Sequence, residues 1–275
     1  MKRIWLSFFL LAANGAAAGE IFWLHSHLPP ASIESGAARS QGYADKVEAV
    51  TRSGLTDFTH STEWVPPARM NLMMKSGGPY CTSGMSYTEQ RAGFMRFTPP
   101  IGWIHSYGVI LRRTAFGRFA GFLDKEERID LTRLAKADLR AGLILGRSYG
   151  HTSDRALKMV QTARRASEVN SFDTVLRMLQ ARRIDYTLGY LEELNYFAEQ
   201  PNEYVFLPVK DTTALIPISC SCSRAPSADA AFAAILRVHD EYHIASIFQQ
   251  EYERWLTPEY LPRYRKLLQE ARPAY

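Results

Sequence analysis

The chain is poor in cysteine, in charge imbalance and in long apolar runs. Only three cysteines occur in 275 residues, Cys81, Cys220 and Cys222, too few for a disulfide-stapled miniature scaffold. Cys220 and Cys222 alternate on one apolar run with no histidine near them, which argues against zinc. The formal net charge is +5, too mild to argue for a nucleic-acid partner. No Gly-Lys-Ser/Thr closes a glycine-rich loop, so a P-loop nucleotide site is excluded. There is no internal repeat or low-complexity tract. With 46% hydrophobic and 22% charged residues, the composition is that of a folded globular protein.

The one long apolar run lies at the start. Lys2 and Arg3 form a basic beginning, Ile4 to Ala13 an apolar stretch, and Ala16-Ala17-Ala18 a small-residue cleavage site, the pattern of a secretory signal peptide over residues 1–18. The stretch is too short to span a membrane comfortably, and nothing comparable follows. No cysteine stands just after the expected cut, so no lipid anchor is expected there. The expectation is a soluble exported protein, most simply periplasmic. Removal of Lys2 and Arg3 takes the net charge from +5 to +3.

What is present centres on Tyr80 to Pro100, YCTSGMSYTEQRAGFMRFTPP. A short strand-like entry leads to a Ser83-Gly84-Met85-Ser86 turn. Thr88 followed by Glu89 reads as a helix N-cap, because a threonine hydroxyl accepts a first-turn N–H and an acid complements the dipole. Arg91 then falls in that first turn, where its planar fork suits a carboxylate beside a hydroxyl-rich turn. Standing alone, it would more often be a solvated surface arginine.

Further along, Leu143 to Gly146 reads as a buried parallel strand. It runs into Gly146-Arg147-Ser148-Tyr149-Gly150 and a helix extending to Arg165, so backbone N–H groups and a helix dipole form an anion cradle. Val169 to Ala181 reads as a helix capped by Asn170 or Ser171, with Phe172, Val175, Leu176 and Leu179 as its apolar stripe. Arg183 to Tyr190 reads as a strand. Strands are also expected over Glu20 to Leu24, Thr56 to Val65, Ser106 to Arg113, Val205 to Val209 and Ile216 to Cys222. Further helices are expected from Gln41 onward and over Arg69 to Lys75, Ile129 to Asp138, Ser227 to Asp240 and Tyr242 to Leu256. The tail from Glu259 to Tyr275 reads as a solvated helix at the edge. Met70, Met73 and Met74 read as gap-filling core, and Trp23, on a strand, reads more readily as core than as an aromatic pocket wall.

The hydroxyl-rich turn, Thr88-Glu89-x-Arg91 and Phe97-Thr98-x-Pro100 together resemble the signature of bacterial extracellular solute-binding proteins of family 3, the type 2 periplasmic binding proteins of amino-acid ABC importers. The order of helix, Ile184-Asp185 and strand resembles the same family. The resemblance implies an α/β fold of two lobes, each a mixed sheet flanked by helices, joined by two hinge crossings. Lobe one would span residues 19–108 and 221–275, and lobe two residues 109–220. It implies that Arg91 grips a ligand carboxylate, that Ser86, Gly84 and Thr88 line the same pocket, and that Ser148 and Tyr149 reach in from lobe two. Tyr190 and Trp23 complete the candidate set. The family's aspartate, five residues after the first, is here Tyr190, which offers a neutral hydrogen bond and a ring face in place of a carboxylate for an ammonium group. Glu192 and Glu193 stand close enough in sequence to replace it, or to form the solvated start of a helix.

The function implied is capture of a small carboxylate-bearing or otherwise polar solute, without cofactor, metal or catalysis, by a monomer. An ABC permease or a membrane sensor is the implied partner. The alternative from another class is a dehydratase of cyclic amino-acid precursors on the same scaffold, which needs a general acid of raised pKa, with Glu192 or Glu193 the candidates. In an oxidising compartment Cys81 can pair with Cys220 or Cys222, and both pairings are open.

Overall fold

A computed structural model describes residues 19–258 and 260–271. The expected signal peptide lies outside the described residues. The chain begins with β1 (Gly19–His25), α1 (Tyr43–Ser53), β2 (Phe58–Trp64), α2 (Pro67–Ser76) and β3 (Tyr80–Ser86), and continues with the one-turn α3 (Glu89–Ala92), β4 (Met95–Phe97) and β5 (Gly102–His105). Then come β6 (Gly108–Arg112), α4 (Leu131–Leu134), β7 (Ala141–Ile144), α5 (His151–Thr162), β8 (Ala166–Val169), α6 (Phe172–Gln180), β9 (Tyr186–Gly189), α7 (Leu191–Phe197) and β10 (Tyr204–Pro208). The chain returns through β11 (Leu215–Ser223), α8 (Asp229–Glu241), α9 (Ile244–Glu253) and α10 (Leu261–Ala271).

Two sheets result. The first has the order β2-β1-β3-β11-β4, with β5 also on β11, and the second has the order β10-β6-β9-β7-β8. Both mix parallel and antiparallel pairs: β1 runs parallel to β2 and β3, whereas β11 runs antiparallel to β3. The expected two-lobed α/β architecture is therefore what the chain adopts. The chain crosses between the sheets twice, from His105 to Gly108 and from Pro208 to Leu215. Leu215 to Ile218 pair with β5, so β11 lies in the first sheet from its first residue.

Local chemistry accounts for the main elements. Pro67 opens α2 at a position where no intrahelical N–H is needed, and Gly77 closes it in the left-handed region at φ 89°. Ser171 caps α6 by accepting from Thr174 N, and Phe172, Val175, Leu176 and Leu179 form its buried stripe. Trp23 is fully buried with Ile21, Cys81, Cys220 and Cys222 under α8, and its indole N–H donates to His60 Nδ1 at 3.0 Å. Cys81 bonds Cys222, its direct partner in the β3/β11 register, and Cys220 remains a buried thiol. Among the described residues no helix is long and apolar enough to cross a membrane.

One strand falls where no element was expected, and one expected helix is shorter. Ala166–Val169 is a short edge strand. The helix expected over Ile129 to Asp138 shrinks to the single turn α4, capped by Asp130. The tail helix α10 packs through Tyr264 and Leu268, which are buried with Phe248 and Tyr252, and the Tyr264 hydroxyl donates to Trp103 O at 2.8 Å.

Candidate functional site

On the first sheet the site is local in sequence. Thr88 Oγ1 accepts from Arg91 N at 3.1 Å, which fixes the one-turn α3 and turns the arginine inward. Arg91 is 8% exposed, and its Nη1 donates to both Ser86 O and Ser86 Oγ at 3.1 Å. No carboxylate among the described residues comes within ion-pair distance of it. Burial lowers its pKa, and the more distant Asp154 charge works the other way; an arginine nonetheless stays protonated in a protein. The remainder of its fork is thus a buried cation without a counterion, a state that an anion relieves.

Arg91, Ser86 and Gly84 line a cavity of about 120 Å³ together with Arg147, Ser148, Tyr190, Glu192 and Glu193 from the second sheet's connections. Those connections are held firmly. Asp154 accepts from Ser148 Oγ and, at 2.8 Å, from Tyr149 N, closing the turn ahead of α5. The Ser148 hydroxyl proton is thus directed to Asp154, which leaves the oxygen lone pairs of Ser148 on the cavity wall. Tyr149 donates its hydroxyl to Leu188 O at 2.8 Å. Tyr149 and Thr88 do not line this cavity but line an adjoining one with Ser148, Tyr190 and the crossing residue Thr212. Trp23 lines neither, because it is core.

Arg147 is a cavity-wall residue that the sequence did not single out. It grips Glu193 with both terminal nitrogens, one of them at 3.0 Å, and lies 5.1 Å from the Tyr190 ring and 5.8 Å from the Tyr149 ring. Burial pulls its pKa down, but the Glu193 charge outweighs that and raises it. Glu193 Oε2 also accepts from Tyr190 N at 3.0 Å, capping α7 and fixing the ring. Neither charge of this buried pair is free for a ligand.

Glu192 is the opposite case. It is 2% exposed, and neither carboxyl oxygen reaches hydrogen-bond geometry with a partner. Burial pushes its pKa up to about 8; its own backbone N–H pulls the other way, the adjacent Glu193 charge adds to the rise, and the Tyr252 hydroxyl and the Arg147 charge offset part of it. The carboxyl is accordingly protonated at neutral pH.

The first sheet adds a polar wall. His25 Nδ1 lies 3.1 Å from Ser32 Oγ and its Nε2 2.9 Å from Glu48 Oε2, while Ser32 donates to Asp45. Burial lowers the His25 pKa, but hydrogen bonds and charge from Asp45 and Glu48 outweigh it and raise the pKa to about 9. The Ser32-His25-Glu48 arrangement outlines a hydrolytic triad but is wired against one: an imidazolium cannot act as base, and the serine proton already points to Asp45.

The lobes meet beside the cavity. Gly146, at φ 78°, lies so close to α2 that a Cβ on it would stand 2.6 Å from Ala68 N and 2.7 Å from Ala68 Cα. Asn71 Nδ2 donates to Gly146 O at 3.4 Å. On another side of the cleft the Tyr196 and Trp255 rings are 6.0 Å apart.

This two-lobed arrangement is the periplasmic binding protein fold, and solved structures share it. A histidine kinase sensor domain with similarity to periplasmic binding proteins superposes with a TM-score of 0.66 at 15% identity, over 88% of this chain and 98% of that one. An ancestral arginine-binding protein bound to arginine gives 0.64 at 13% identity, over 88% and 100%. A substrate-binding protein of an ABC uptake transporter from Streptococcus pneumoniae with bound histidine gives 0.64 at 15% identity, over 86% and 92%. These neighbours are binding and sensing proteins. No family model matches the chain, and no curated protein matches it in sequence.

Proposed function

We propose that this chain is an exported solute-binding protein that captures a small carboxylate-bearing solute between its lobes. The observation that carries the proposal is Arg91, a buried guanidinium without a counterion, set in a cavity whose other wall comes from the second sheet. Residues 19–105 with 215–271 would form lobe one and residues 108–208 lobe two. Arg91 would grip the carboxylate, with Ser86 and Gly84 beside it and Tyr190, steadied by Arg147 and Glu193, covering the ligand from lobe two. A solute touching both lobes favours the closed form because only that form makes both sets of contacts. Micromolar affinity needs about 8 kcal/mol, of which a charge-assisted arginine contact supplies about 1.5 to 3. Burial against Tyr190, Tyr43 and Ile218 would contribute the rest.

Arg91→Ala is expected to abolish the thermal stabilisation that the co-purifying solute, identified by mass spectrometry, gives the wild type. An unchanged shift would remove Arg91 from the site. An ABC permease, or a membrane sensor as for the kinase neighbour, would receive the closed form in the periplasm.

One observation favours a second reading, a dehydratase on this scaffold: Glu192 has the protonated carboxyl that a general acid requires. Turnover of prephenate or arogenate, lost on Glu192→Gln, would establish it. Binding without turnover leaves the capture reading.

A further inference from the structure

We propose that Glu192 is a specificity-determining contact that meets the ligand as an uncharged acid, so that the cleft prefers a monoanion bearing a hydroxyl or carbonyl oxygen to one bearing an ammonium group. The inference rests on the carboxylate-capture reading and goes further, to the class of solute.

Its basis is the contrast between two adjacent acids on α7. Glu193 is saturated by both arms of Arg147 and by Tyr190 N. Glu192, in the same cavity and almost wholly buried, has neither oxygen in good hydrogen-bond geometry, its polar neighbours being only its own backbone N–H and the Tyr252 hydroxyl. A buried polar group left bare is costly, so a ligand that satisfies it gains affinity.

The surroundings decide the form in which Glu192 does this. The groups facing it are Tyr43 from α1, Tyr252 from α9, Tyr190 at the cap of α7, the Glu193 carboxylate and Arg147 from the turn before α5. Burial keeps the three phenols neutral. The arginine is already neutralised by Glu193, and a second carboxylate charge beside Glu193 is disfavoured. The protonated carboxyl therefore donates one hydrogen bond and accepts another, which a hydroxyl matches in full and a carbonyl matches through the donor. An ammonium has donors only. It matches the carbonyl oxygen alone, leaves the carboxyl proton without an acceptor, and brings a second cation beside Arg147 into the cavity that Arg91 also lines.

The test is titration calorimetry on the full mature chain with three matched series: alanine, lactate and pyruvate; phenylalanine, phenyllactate and phenylpyruvate; glutamate, 2-hydroxyglutarate and 2-oxoglutarate. The hydroxy or oxo member of the binding series is expected to bind at least tenfold more tightly than the amino acid at pH 7. Its affinity should fall as pH rises past 8. Glu192→Ala should cost tenfold or more, and Glu192→Gln, which still donates, threefold or less with the pH dependence flattened. A preference for the amino acid, with Glu192→Gln as damaging as Glu192→Ala, would overturn the inference while leaving carboxylate capture intact. A harmless Glu192→Ala would overturn it as well. Failure of all nine compounds to bind would overturn carboxylate capture itself, and the inference with it.

Discussion

Replacing Gly146 with alanine separates two costs at the seam between the lobes. The first is backbone strain: at φ 78° an L-residue loses about 1–2 kcal/mol whether the lobes are open or closed, which lowers the melting temperature by roughly 5 °C in a chain of this size. The second arises only on closure. The added Cβ would meet Ala68 backbone at 2.6 Å, where ordinary contact begins at 3.4 Å, so the seam must widen by roughly the difference. The Asn71 to Gly146 hydrogen bond, already at 3.4 Å, is then lost, a loss of about 0.5–1.5 kcal/mol. Together with the forfeited contact, affinity falls about tenfold. Gly150 is the internal control, since its φ is 87° yet nothing lies within 4 Å of its virtual Cβ. Gly150→Ala should lower the melting temperature similarly and leave closure alone. Small-angle scattering of the solute-saturated proteins reads closure directly, and calorimetry with the co-purifying solute reads affinity. If both variants melt lower but bind and compact alike, the seam is not a feature of the liganded state and the reasoning is refuted.

Two further outcomes follow from buried groups in the ligand-free protein. Folded Glu192 holds a proton up to about 8 and folded His25 up to about 9, against 4.5 and 6.5 in the unfolded chain; both pKa values are raised, so both contributions to stability are complete at low pH and disappear as pH rises. The melting temperature should fall between pH 5 and 9, with His25 alone accounting for roughly 3 kcal/mol, and Glu192→Gln should flatten the portion below pH 8; a flat wild-type profile would rule out a buried protonated Glu192. The Cys81–Cys222 bond closes a loop of 141 residues, a constraint on the unfolded chain of about 5 kcal/mol. The double replacement Cys81→Ala with Cys222→Ala should therefore melt roughly 10 °C lower, whereas reductant added to that variant should change nothing, because Cys220 is left as an isolated buried thiol whose pKa burial pushes up to about 12.

How much of this was legible beforehand depended on sequence distance. Ser86, Thr88 and Arg91 fall within one turn of chain, and the cap that aims the arginine is a contact three residues long; such a unit is readable because few other parts of the molecule affect it. The same holds for Ser171 and the stripe of α6. The Cys81 pairing was open because alternation puts Cys220 and Cys222 on one face, and only the β3/β11 register places Cys222 opposite Cys81. The residues by which the tail helix packs were hidden because its charges dominate the sequence while Tyr264 and Leu268, one turn apart, face the core. Ala166–Val169 gave no signal because an edge strand of four residues carrying Ser167 and Glu168 has too few apolar positions to show a period of two.

The second wall of the cleft was the least legible for the same reason. Sequence proximity made Glu192 and Glu193 equivalent candidates for a missing acid, yet a guanidinium 46 residues from Glu193 neutralises one and leaves the other bare. That pairing also holds Tyr190 at 5.1 Å from Arg147, so the ring at the position where the resembled family carries an aspartate lies against a cation already balanced within the protein. The substitution and the ion pair make sense together: with no carboxylate at position 190 to offset it, Arg147 needs Glu193, and once Glu193 is engaged only a protonated Glu192 remains to read the solute. Selectivity in this cleft is therefore set by which of two neighbouring acids the turn before α5 leaves uncharged.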